Sequence, residues 1–213
     1  MEPLFKNNQA TLAGEAVSEF QFSHEVFGEG FYVLYLKVSR LSEAGDVVPL
    51  LVSDRLVNVH QSILGRQLEA KGQFRSYNKH EEHQNHLILS LFVREIRLLE
   101  DGEESQKPNS IYLDGFICKP PVYRMTPLGR EIADLLVAVN RAYGKSDYIP
   151  CICWGRNARY ASNLQVGMRV SVWGRIQSRE YQKKVDDHTV VTKTAYEVSI
   201  SKMESQQNAA VEG

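Results

Sequence analysis

The chain repeats itself. Leu12-Ala13-Gly14 returns as Leu113-Asp114-Gly115, Val38-Ser39-Arg40 as Val139-Asn140-Arg141, and Pro49 as Pro150, each 101 residues later. Gly65 returns as Gly167, and Gly72-Gln73-Phe74-Arg75-Ser76 as Gly174-Arg175-Ile176-Gln177-Ser178, each 102 residues later. Fixed-period self-similarity means that one structural unit has been built twice. Two units of ~100 residues are each a plausible domain, and 213 residues accommodate both. Residues 1–100 form the first copy, 101–109 a linker, 110–203 the second copy and 204–213 a flexible tail. The join, Glu100–Ser110, reads EDGEESQKPNS, a polar stretch without periodic apolar residues.

Each copy reads as strand. In the first, alternating apolar residues place strands near 9–18, 31–40, 47–53, 66–77 and 86–97. Leu56, Val59 and Ile63 in DRLVNVHQSIL fall near helical spacing behind Asp54, a suitable cap. The second copy repeats this, with strands near 111–118, 131–141, 148–154, 168–178 and 190–201 and a short helix near 157–164. Five strands with a helix between the third and fourth is the layout of the OB-fold, a Greek-key barrel. The chain is therefore expected to be all-β, two tandem OB-folds. A β-sandwich is the structural alternative, but it asks for no helix at that point in both copies.

Composition is ordinary for a folded protein, 43% hydrophobic and 24% charged, and the net charge is -1. That sum hides an asymmetry. Residues 1–105 carry 10 Lys/Arg against 16 Asp/Glu, whereas 106–213 carry 15 against 10. Only the second half is expected to seek an anion. Its centre is Val139–Arg159, VNRAYGKSDYIPCICWGRNAR, where Tyr148, Pro150, Ile152 and Trp154 share one strand face. Arg141, Lys145, Arg156 and Arg159 flank it. Rings interleaved with cations can stack bases while the cations follow phosphates. A half-buried strand with a charged rim fits the same pattern.

Cys118, Cys151 and Cys153 form no CxxC pair and read as small core residues in a reducing compartment. MEPLFKNNQATLAG has no apolar core of a signal peptide, and no run approaches the ~18 residues of a membrane span. The chain is expected to be cytoplasmic. His80, His83 and His86 in KHEEHQNH read as a solvated hairpin rather than a zinc site, and Asp186-Asp187 as a turn. Trp173 reads either as an interface anchor or as core packing. No Walker loop, nucleophile elbow or HExxH occurs, so no enzyme activity and no cofactor are expected.

The second copy resembles the bacterial single-stranded DNA-binding protein family. GFICKPPVYRMTPLGREIADLLVAVNR, YIPCICWGRNA, GMRVSVWGRIQSREY and TAYEVSI carry the resemblance, in order, across residues 110–203. It implies an OB-fold that holds unpaired DNA without sequence preference, in replication, recombination or repair. It also implies four stacking positions, at which Tyr143, Tyr148, Trp154 and Tyr181 stand. Each stacked base is worth about 1–3 kcal/mol. Lys119, Arg124, Arg141, Arg156, Arg175, Arg179, Lys183 and Lys184 are the candidate phosphate contacts. Taken singly, each also fits a solvated surface charge. Ser178–His188 then reads as a finger that wraps a strand.

The repeat offsets map these four rings onto Ser42, Val47, Ser53 and Lys79 of the first copy. The acidic copy has therefore lost all four, and it is expected to serve as scaffold or interface. Phe31, Tyr32, Tyr35 and Phe74 remain there but fit strand faces and core. The family assembles four OB-folds, so resemblance implies a homodimer. The end, SQQNAAVEG, departs from the family's long tail with an acidic tip, which implies no recruitment of replication or repair proteins through such a tip. Rival readings are an assembly factor similar to primosomal replication protein N, an OB-fold nuclease, and an RNA binder.

Overall fold

The structure is a computed structural model that describes residues 6–40, 45–81, 84–184 and 190–206, with side chains for all of these except 78–81 and 84–86. The side chains of His80, His83 and His86, and residues Asp186 and Asp187, lie outside the described residues. The first copy contains β1 (Asn8–Ala16), β2 (Gln21–Val26), β3 (Glu29–Ser39), β4 (Gly45–Ser53), β5 (Gln67–Glu81) and β6 (Gln84–Leu98). The second contains β7 (Asn109–Ile117), β8 (Val122–Met125), β9 (Glu131–Asn140), β10 (Ser146–Trp154), the helix α1 (Arg156–Ala161), β11 (Arg169–Lys184) and β12 (Val190–Gln206).

Each copy closes as an OB-fold. In the first, β1 pairs with both β3 and β5, and β4 lies parallel to β6. In the second, β7 pairs with both β9 and β11, and β10 lies parallel to β12. Alternation sends Leu34, Leu36 and Val38 of β3, and Ile149, Cys151 and Cys153 of β10, into the core. The glycines of the repeat mark where strands cross most closely. A methyl group on Gly14, Gly72, Gly115 or Gly174 would overlap the carbonyl oxygen of Lys37, Phe92, Ala138 or Ser199 respectively. Gly72 and Gly174 also sit at register shifts, where the strand bends.

Three details differ from the sequence reading. Each copy has a sixth, edge strand: QFSHEV in β2 and VYRM in β8 are exposed at every position, so no apolar alternation announces them. The helix forms only in the second copy. In the first, residues 54–66 make turns. There Ser53 Oγ accepts from the Arg55 N–H, Asn58 Oδ1 from His60 N–H and Ser62 Oγ from Leu64 N–H, local bonds that compete with a helical ladder. Finally, β12 runs to Gln206, so residues 204–206 belong to a strand.

The two copies share one twelve-stranded sheet, joined where β1 pairs antiparallel with β7. Asn8 faces Leu113, Ala10 faces Ile111 and Leu12 faces Asn109. With the 101-residue offset these pairs are reciprocal, so an internal two-fold axis passes through Ala10 and Ile111, as at an isologous dimer seam. Asn8 and Asn109 repeat one local device beside it. Asn8 donates to Phe74 O and accepts from Phe74 N–H (2.8 and 2.9 Å), and Asn109 does the same with Ile176 (2.7 and 2.9 Å).

Each long hairpin reaches across this axis. The Ser178 N–H and hydroxyl in β11 donate to Asp46 Oδ1 of β4, at 2.6 and 3.0 Å. Reciprocally, the Ser76 N–H in β5 donates to Asp147 Oδ1 of β10 at 2.7 Å, and the Tyr148 N–H donates to Ser76 Oγ at 2.7 Å.

Candidate nucleic-acid interface

The outer face of β10 alternates Tyr148, Pro150, Ile152 and Trp154 against the buried row Ile149, Cys151 and Cys153. Ile152 is covered, at 6% exposure, whereas the rings at either end are open: Tyr148 is 44% and Trp154 40% exposed. Tyr181 on β11 is 39% exposed, and Tyr143 in the turn before β10 is 93% exposed. Large rings left this open by a folded core are available to a flat ligand. Tyr143 holds φ 61°, ψ 33°, a left-handed conformation that a bulky residue adopts only at a cost. Trp154 is followed by Gly155 at φ 55°, ψ -120°, a turn that requires glycine and that starts α1 directly afterwards.

The cations divide into two groups. Arg124 lies 2.9 Å from Asp134, Arg141 3.2 Å from Asp147 and Arg179 3.6 Å from Glu197, so each already faces a carboxylate. Lys119, Arg156, Arg175 and Lys184 are exposed, and Lys183 is half-buried. Arg175, Arg179, Tyr181 and Lys183 fall at alternate positions of β11 and so share its two-residue period.

The structure brings part of the second-copy set against the first copy. A cavity of about 260 Å³ is lined by Arg141, Lys145 and Tyr148 together with Ser76 and Tyr77 of the first copy. A second cavity, of about 840 Å³, lies between the copies and includes Arg141, Pro150 and Tyr181 on one side and Tyr35, Pro49, Arg75, Tyr77 and Phe92 on the other. Trp154 and Tyr143 line neither of these two.

The sequence reading missed Arg75, Tyr77 and Phe92. The available signal was alternation in β5 and β6, where Arg75 and Tyr77, and Phe92 and Arg94, occupy outward positions while Phe74, Leu89, Leu91 and Val93 fill the core. On β3 Phe31 is buried, at 9% exposure, and Tyr35 is half-buried, while Phe74 on β5 is fully buried. His24 stacks on Phe31 at 5.1 Å with planes 12° apart, and Phe31 meets Phe92 at 5.9 Å. The Arg75 guanidinium sits 3.9 Å over the Phe92 ring and that of Arg94 4.8 Å from it.

The two sides of the internal axis differ in how their carboxylates are satisfied. Asp46 takes Arg40 Nε at 2.7 Å and Arg40 Nη2 at 2.5 Å in addition to Ser178. Burial opposes its ionisation, but the Arg40 bond and the two from Ser178 prevail and hold its pKa below the ordinary value. Asp147 has the opposite balance: burial dominates and raises its pKa, although the Ser76 N–H, Arg141 and Arg75 oppose the rise. Arg141 Nε and Asp147 Oδ2 are close enough for an ion pair but are not aligned for a hydrogen bond. Arg75 Nε is buried without an acceptor. Burial, then repulsion from Arg94 and Arg141, lowers the Arg75 pKa to about 10, so it stays charged at neutral pH.

Residues 108–206 match the single-strand binding protein family. The Listeria innocua single-stranded DNA-binding protein 3 is 34% identical over 109 residues, 48% of this chain and 68% of that protein. The chain belongs to the single-strand binding protein family. Single-stranded DNA-binding protein A of Bacillus subtilis is 33% identical over 96 residues, covering 42% of this chain and 56% of that one. Over nearly the whole chain, the fold matches a deletion mutant of the single-stranded DNA binding protein from Thermus aquaticus, with a TM-score of 0.69, 18% identity and 94% of each chain covered. The family model covers the second copy, and the Thermus likeness extends the shared fold through the first.

Elsewhere, Cys151 and Cys153 are buried, and burial raises both thiols, Cys153 to about 12, so neither is a ready nucleophile. Trp173 packs on Tyr112 at 5.1 Å under the Lys202 ammonium, half-buried on the outside of the shared sheet. Among the described residues no group of three or more His, Cys, Asp or Glu side chains is placed to hold a metal ion. No helix among them is long and apolar enough to cross a membrane.

Proposed function

We propose that this protein binds single-stranded DNA without sequence specificity, in replication, recombination or repair. Bases stack on Tyr143, Tyr148, Trp154 and Tyr181. Lys119, Arg124, Arg141, Arg156, Arg175, Arg179, Lys183 and Lys184 follow the phosphates. One observation carries the reading: all four rings stand open to solvent on the copy that matches the family, with cations at the ends of the same strands. Stacking is sequence-tolerant because every base has a π-face. Neither a cofactor nor a catalytic step is part of this mechanism, and its setting is the bacterial cytoplasm.

The working unit in this reading is a homodimer with four OB-folds, and the half-buried Trp173–Tyr112 pair on the outer sheet face supports such a contact. Titration with oligo-dT tests the function. Tryptophan emission is expected to fall on binding and recover as salt rises. Unchanged emission at saturating oligonucleotide and low salt overturns the proposal. Native mass with and without the oligonucleotide reports subunit number.

A further inference from the structure

The cavity between the copies has a lining that the acidic composition of the first copy does not foretell. Six rings face it, His24, Tyr35, Tyr77, Phe92, Tyr181 and Tyr196, together with the guanidinium groups of Arg75 and Arg141, and among the described residues no carboxylate lines it. Four of those rings and one of those cations belong to the copy that lacks every ring at the four family positions. Arg75 Nε, like Arg141 Nε, is buried without a hydrogen-bond acceptor, while Arg75 Nη2 donates to Gln73 Oε1 at 2.5 Å; the counterpart of Arg75 in the repeat is Gln177. Across the internal axis the counterpart of Arg141, Arg40, gives two hydrogen bonds to Asp46. Rings and two guanidinium groups, Arg75 and Arg141, that share the one neighbouring carboxylate of Asp147 describe a receptor for a phosphate attached to a flat group.

We propose that this cavity is a second nucleotide platform, at which one single strand passes from the second copy onto the first, with phosphates on Arg75 and Arg141 and bases against Phe92, Tyr77 and Tyr35. The inference rests on the single-strand binding reading and deepens it, since the first copy becomes part of the binding surface rather than scaffold. Arg141 and Tyr181 belong to both platforms, so the strand crosses from one to the other beside them. Arg75 over Phe92 supplies a flat cationic surface that itself stacks a base.

The test uses the full chain with oligo-dT of increasing length, ultraviolet cross-linking and mapping of the cross-linked peptides. Cross-links are expected in two regions, residues 70–95 and residues 140–182. Arg75→Gln is expected to weaken binding of long oligonucleotides about tenfold, to weaken short ones less, and to make log K against log salt shallower by about 0.7 for each phosphate lost. Arg75→Lys keeps the charge and should recover much of the salt dependence. Phe92→Leu keeps the packing volume and should also shorten the occluded length, so the proposal does not rest on one variant's folding. Cross-links confined to 140–182, with both variants binding as the parent does, overturn the second platform and leave the function intact. Absence of binding by the parent overturns both.

Discussion

Phe31 stands directly across from Ser53, on β3 and β4, at the register where the second copy sets Ile132 against Trp154. The two copies thus keep one ring at this cross-strand pair but attach it to opposite strands. The ring on the opposite strand is not an open one: Phe31 is buried against His24 and Phe92, whereas Trp154 is 40% exposed.

Trp154→Ala should weaken single-stranded DNA binding by about 1–3 kcal/mol, the worth of one stacked base. Ser53→Ala should leave affinity within twofold, since Ser53 presents no ring. Anisotropy of labelled oligo-dT measures both. Trp154→Phe should restore most of the loss.

Tyr143 combines an open ring with a left-handed backbone. Tyr143→Asn, a residue that tolerates that region, should stabilise the fold by about 1 kcal/mol while weakening DNA binding. Urea unfolding alongside anisotropy would show the two changes with opposite signs.

Asp46 and Asp147 should respond oppositely to pH. The depressed Asp46 contributes stability that is present above the unfolded-state value and is lost as pH falls through its folded pKa. Asp147 is raised, so the folded state holds its proton more tightly. Its contribution makes stability fall as pH rises from the unfolded-state value to the folded one, with no further change above. Asp46→Asn leaves Arg40 without its partner and should cost about 3 kcal/mol at pH 7. That deficit should shrink in acid. Denaturant midpoints at several pH values measure it.

A methyl group on Gly14 or Gly115 meets a backbone carbonyl that cannot move without parting two strands. Gly14→Ala and Gly115→Ala should each cost about 1–3 kcal/mol, read as a lower urea midpoint at an unchanged slope.

The barrels were legible in the sequence because duplication exposes what each unit requires. Gly14, Gly72, Gly115 and Gly174 recur since no other residue fits a strand crossing, and the inward rows recur since the core has one volume to fill. The helix of the first copy was misread because Asn58 and Ser62 bond locally, an effect that apolar spacing does not register. The edge strands β2 and β8 bury nothing and so leave no pattern. The cavity was invisible for a different reason: it is made by Arg75, Phe92, Arg141 and Tyr181 together, and only the reciprocal reach of Ser76 to Asp147 and Ser178 to Asp46 brings those residues side by side.

The β1–β7 ladder puts into one polypeptide a contact that separate subunits would have to find by collision. Covalent attachment makes it intramolecular, so dilution cannot pull the halves apart. It also frees them from identity. A change in a homodimer strikes both faces at once, but here Ser53 and Trp154 can differ, and one half can drift in charge and shape while the other keeps its grip.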